Sequence, residues 1–214
     1  MVVFFLDKEY FTVLDTKENL YEEKKSRFIA NLKHVVSEDE ALCFIESIKK
    51  KYKDATHNTF AYDILSGVNK QKYSDDGEPQ GTAGVVILEV LKKRELKNIV
   101  VVVTRYFGGV MLGAGGLVRA YSKAASLCLD KAEIIKKVYC TIIEIKVDYN
   151  LSGKVQNFLL TNKYYVENVE YTDIVTFKVI IPVDIVERLE SEILDHTFAT
   201  AKISKLKQGY FVLS

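Results

Sequence analysis

The chain has 214 residues, 48% of them hydrophobic and 28% charged, with two prolines. That composition excludes a mainly disordered chain and leaves room for one large domain or two small ones. Thirty Lys and Arg against 29 Asp and Glu give +1, which excludes a polyanion binder driven by bulk charge or a basic tail.

Residues 1–6 form a short apolar patch broken by Asp7, Lys8 and Glu9. It lacks a basic leader and the length of a signal or membrane span, and no apolar run of about 18 residues follows, so no membrane partner is expected. Lys24, Lys25, Ser26 and Arg27 make a small polar set ahead of a strand at residues 28–32. Ser37 and Glu40 read as a reciprocal capping box opening a helix, with Ala41, Phe44, Ile45, Ile48 and Tyr52 on its inner face. The lysines that crowd its end suit the negative pole of the helix dipole.

Strands are predicted at residues 58–65 and 98–105, the second through the buried run Ile99 to Val103. Between them Thr82 is placed to cap a helix over residues 83–94, and a further helix spans residues 117–130. After a boundary near Lys136 and Lys137 the order is strand (138–148), helix (151–162), strands (164–171 and 174–181), helix (184–195) and strand (199–212). That β-α-β-β-α-β series is the ferredoxin-like plan, so the chain divides into domains 1–137 and 138–214. Cys43, Cys128 and Cys140 cannot all pair and show no zinc spacing; they read as reduced core thiols of a cytoplasmic protein. No cofactor is expected.

Eight of the eleven glycines lie between Gly77 and Gly116, which localises the chemistry. Gly115 and Gly116, opening a helix after Gly113, can leave backbone amides free at the positive end of its dipole, where anions bind. Arg105 and Arg119 can add forked donors, Gly108 and Gly109 let the loop fold close, and Arg27 belongs to the same anion-binding set. Tight turns and close packing explain the same glycines. An auxiliary polar cluster comprises His57, Asn58, Ser74, Asp75, Asp76, Glu78 and Thr82. Its acidic run reads as a turn first, an ion-pair partner for Arg105 or Arg119 second and a magnesium site third. His57 with Asp75 or Glu78 has the makings of a general base, or is a hydrogen-bonded structural histidine.

Residues 25–30, 55–58, 74–84 and 102–121 resemble, in order and spacing, the signature segments of the YigZ/Impact family. The resemblance implies an α+β protein: an N-terminal domain of the ribosomal-protein-S5 domain 2-like α/β fold, then a ferredoxin-like domain similar to the C-terminal domains of elongation factor G. It also implies a role in translation or its regulation, as in eukaryotic Impact proteins. Three positions depart from the family pattern: Val86 for a proline, Thr59 for a cysteine, and Met111 for a lysine, which removes one donor from the anion pocket. The resulting expectation is a non-catalytic binder of RNA, the ribosome or another phosphate-containing ligand. The alternatives are a small-molecule enzyme using the acidic and histidine groups, and a protein-interaction module.

Overall fold

The structure, a computed structural model, describes residues 8–66 and 68–213; the apolar opening at residues 1–6 lies outside them. Its elements in chain order are β1 (Glu9–Val13), β2 (Lys17–Glu23), β3 (Ser26–His34), α1 (Glu38–Lys51), β4 (His57–Ser66), β5 (Val68–Ser74), α2 (Gly84–Lys93), β6 (Ile99–Tyr106) and α3 (Ala114–Asp130). There follow β7 (Ile134–Val147), α4 (Tyr149–Thr161), β8 (Tyr165–Tyr171), β9 (Val175–Pro182), α5 (Val186–His196) and β10 (Lys202–Phe211). Residues 10–136 form one compact unit, and residues 8–9 with 137–213 form another.

In the first unit an antiparallel sheet runs β2-β3-β6-β4-β5. Its centre is β6, whose β-branched run is buried on both faces because helices cover both. Val100 and Val102 pack with Ile45 and Ile48 of α1, while Ile99, Val101 and Val103 pack with Ile87 and Leu91 of α2 and Ala124 of α3. Side chains alternate along a strand, so Arg105 shares the face of Val103 and is carried under α3. The same parity puts His57 on that face, directly opposite Arg105 in the β4–β6 register, with Phe28 opposite Arg105 on β3.

The second unit is an antiparallel sheet in the order β10-β7-β9-β8, backed by α4 and α5, and is ferredoxin-like. Val155, Leu159, Leu189 and Ile193 of the helices bury against Ile143, Ile145, Phe177 and Val179 of the sheet. No helix among the described residues is long and apolar enough to cross a membrane.

Three local readings are corrected. Ser37 caps α1 by accepting from Glu40 N at 3.2 Å, but the Glu40 carboxylate reaches past Ser37 to accept from Val36 N at 2.9 Å. Thr82 does not cap α2: its hydroxyl donates to the Pro79 carbonyl at 2.6 Å, and Asp75 does the capping from outside the helix. Its Oδ1 accepts from Ala83 N at 3.1 Å and Gly84 N at 2.8 Å, while Oδ2 accepts from Gly81 N at 2.8 Å. Losing the shared acceptor should therefore cost more than losing the hydroxyl. Asp75→Ala is expected to lower stability by about 2 kcal/mol and Thr82→Ala by about 1 kcal/mol; urea midpoints in the opposite order would contradict this cap.

The third correction concerns the cysteines. Cys128 and Cys140 are core thiols, and burial pushes their pKa values up to about 12 and about 11, so both stay protonated. Cys43 is exposed on α1 instead. It lies outside the helical positions 41, 45 and 48 that bury toward the sheet.

Candidate functional site

The loop between β5 and α2 crosses the end of β4 and β6 and delivers the acidic run to the parity-selected face. Each of its carboxylates finds a fixed partner. Asp75 caps α2, and Asp76 Oδ2 accepts from Asn58 N at 2.6 Å while Asp76 N donates to Ser74 Oγ at 3.2 Å. Glu78 is buried, and its Oε1 accepts from Arg105 Nη1 at 2.6 Å and from the Tyr121 hydroxyl at 2.7 Å. Burial first, then the hydrogen bond to Glu78 and the Glu78 charge, push the Tyr121 pKa far above the ordinary phenol value, so this tyrosine is a permanent donor. Turn and ion pair thus coexist in one acidic run. Among the described residues no group of three or more His, Cys, Asp or Glu is arranged to hold a metal.

His57 Nδ1 lies 2.8 Å from the Asp76 carbonyl oxygen, an acceptor only, so Nδ1 carries the proton. Nε2 then lies 3.9 Å from Glu78 Oε1. Asn58 Oδ1 accepts from Thr104 Oγ1 at 2.7 Å, which ties β4 to β6 just inside the site.

Arg105 is the unusual group. It is only 6% exposed, its guanidinium carbon lies 5.5 Å from the Phe28 ring centroid and 5.7 Å from that of Phe107, and its Nε is buried without a partner. It lines a cavity of about 540 Å³ together with His57, Glu78, Phe107, Met111, Gly113 and Ala114. Gly113 is the N-cap of α3, with no side chain to occupy the helix end. Leu117 N, bonded to the Gly113 carbonyl at 2.9 Å, is the first α3 amide with an acceptor, which leaves the amides of Ala114, Gly115 and Gly116 without one among the described residues.

Arg119 does not join Arg105. It lines a neighbouring groove of about 630 Å³ with Lys24, Lys123, Gly116 and Leu112, and Leu112 is shared by both cavities. The distance of 3.7 Å from its Nη1 to a Cβ built on Gly115 places the guanidinium beside the first turn of α3. Arg27 is turned to the other side, its guanidinium 5.6 Å from the Tyr106 ring centroid. Gly108 serves packing: its amide donates to Ser26 Oγ at 3.2 Å, against the β2–β3 turn. Gly109 follows it in the same loop, before α3.

The sequence reading missed Tyr121, Phe28 and Phe107. Tyr121 stands at the core spacing of α3, and nothing local marks its hydroxyl as the partner of a glutamate 43 positions away. Phe28 becomes legible only when the β3–β6 register sets it opposite Arg105, and Phe107 only when the loop after β6 brings its ring to the same guanidinium.

An S5 domain 2-like α/β unit joined to a ferredoxin-like unit defines a two-domain α+β protein with a cleft at one end of the first sheet. Residues 24–129 match the Impact N-terminal domain, and residues 145–197 match a second family described as a domain of unknown function, DUF1949. The chain belongs to the IMPACT family. It is 49% identical over 168 residues to IMPACT family member YvyE of Bacillus subtilis (strain 168), spanning 76% of this chain and 77% of that protein. It is 30% identical over 189 residues to IMPACT family member YigZ of Escherichia coli (strain K12), spanning 87% of this chain and 93% of the relative. A solved structure titled "Crystal structure of an hypothetical protein" superposes with a TM-score of 0.62 at 28% identity, covering 94% of this chain and 99% of the other.

Proposed function

We propose that this protein is a non-catalytic RNA-binding factor of translation or its regulation, and that the cavity at the start of α3 takes a backbone phosphate. The observation that carries the reading is Arg105: a nearly buried guanidinium with an unpartnered Nε, lining the cavity that the open amide end of α3 also lines. Glu78 cancels the net charge of Arg105, so what remains for a ligand is directional: spare N–H donors and the helix dipole. The S5-like and ferredoxin-like folds and the family support the link to translation. Acid–base chemistry gains no support, because Asp75, Asp76 and Glu78 already accept from amides, Arg105 and Tyr121.

The test is filter binding of a labelled single-stranded RNA across a salt series. Affinity should fall with a log–log slope of about −0.7 per neutralised phosphate. Ala114→Asp puts a carboxylate in the first turn of α3, where it suits the helix but repels a phosphate. It should leave the melting temperature unchanged or higher and weaken RNA binding at least about tenfold. Met111→Lys, at a position 85% exposed on the cavity rim, should tighten it. No RNA binding by the unaltered protein at low salt, or full binding by Ala114→Asp, overturns the reading.

A further inference from the structure

The turn joining β2 to β3 has two residues, Lys24 and Lys25, both in the left-handed region with φ +46° and +67°. Two-residue hairpin turns with positive φ at both positions favour Asn-Gly, because a long side chain there is strained. Most other non-glycine residues with positive φ have a local reason. Glu95, Lys163, Phe198 and Ala199 follow helix ends, and Asp76 and Asn98 are types that tolerate the conformation. At the two lysines the two-residue loop imposes the conformation on a residue type that resists it, and Gly108 is seated against Lys25.

Lys24 lines the groove beside α3. Arg119, Ser122, Lys123 and Ser126 line it too, at helical spacing along one face of α3. None of Lys24, Lys25, Arg119 and Lys123 has a carboxylate partner among the described residues. Glu23 is the one acidic side chain in the groove, and its Oε2 accepts from the Tyr21 hydroxyl at 2.7 Å. Strain retained in a turn that points an exposed cation, Lys24, at a groove is the pattern of a functional element rather than of a folding one.

We infer that the dilysine turn, with Arg119 and Lys123, forms a second phosphate contact, so that the ligand is a nucleic-acid strand spanning both cavities past Leu112 rather than a lone phosphate or a mononucleotide. The inference rests on the phosphate reading of the α3 cavity. It divides the work: the cavity supplies directional donors, and the groove supplies the net positive charge that a salt titration reads.

The experiment compares the unaltered protein, the Lys24→Asn/Lys25→Gly double variant and Lys50→Gln, a control on α1 at the opposite face of the sheet, using single-stranded RNA and inorganic phosphate as probes. The double variant should melt several degrees higher, since the strain is gone. Its RNA salt slope should be shallower by about 1.4, two lysines at about 0.7 each, while inorganic phosphate still binds and Lys50→Gln matches the unaltered protein. An unchanged slope, or a melting temperature that does not rise, overturns the inference and leaves the α3 cavity standing. Failure of the unaltered protein to bind either probe removes both.

Discussion

Arg105→Ala is expected to cost the N-terminal unit about 3–5 kcal/mol, the range for stripping one partner from a buried ion pair. The glutamate side chain is 2% exposed and the arginine side chain 7%, so removing the guanidinium leaves a carboxylate in a dry site with one hydroxyl and a histidine at 3.9 Å. The cation–π contacts to Phe28 and Phe107 go with it. The double replacement Arg105→Met/Glu78→Leu should recover only part of the loss: apolar side chains of similar volume remove the unpaired charge, but the buried Tyr121 hydroxyl loses its acceptor, at about 1–3 kcal/mol. Urea denaturation followed by far-ultraviolet circular dichroism separates the cases: a single variant within about 1 kcal/mol of the unaltered protein would mean that water already reaches the pair. The double variant also bears on function. It keeps the fold and the open end of α3 while removing the Nε donor, so its RNA affinity measures what Arg105 gives to binding apart from what it gives to folding.

The parts of this architecture that bury apolar surface could be read from the chain, and the parts that do not could not. Ile99 to Val103, the inner faces of α1 and α3, and the whole β-α-β-β-α-β series carry a clear apolar signal. β2 (KENLYEE) and β5 (VNKQKYS) are edge strands rich in charge, which protects an open edge but erases the apolar alternation by which a strand is recognised. The cap of α2 was illegible for another reason: Asp75 reaches its amides across six to nine residues, whereas capping rules look one turn back. The candidate site was half legible. Glycine clustering pointed to the segment that lines the α3 cavity, yet it grouped Arg105 with Arg119, which the parity of β6 and the face of α3 send to different cavities. Counting by twos from Val101 points Arg105 inward, but a strand buried on both faces gives no clue which face is which.

Gly108→Ala is the second substitution with a large expected effect, and it tests whether the two cavities share one scaffold. A Cβ at Gly108 would sit 2.0 Å from the Lys25 carbonyl carbon and 2.3 Å from Ser26 N, which is backbone against backbone with no side chain to swing aside. Relief requires moving either the loop that leads into α3 or the hairpin turn that carries the two lysines, and the 3.2 Å bond from Gly108 N to Ser26 Oγ ties those segments together. The cost should reach about 3 kcal/mol, the upper end for overpacking, because the neighbouring atoms cannot repack. Gly109→Ala is the matched control. Nothing lies within 4 Å of its Cβ position, so only the left-handed backbone at φ +81° is penalised, by about 1 kcal/mol. Urea midpoints should therefore rank Gly108→Ala well below Gly109→Ala, and the folded fraction of Gly108→Ala should have lost RNA affinity even though every proposed contact residue is still present. Equal midpoints and intact binding would mean that the loop yields without disturbing the turn, and that the groove and the cavity are held independently.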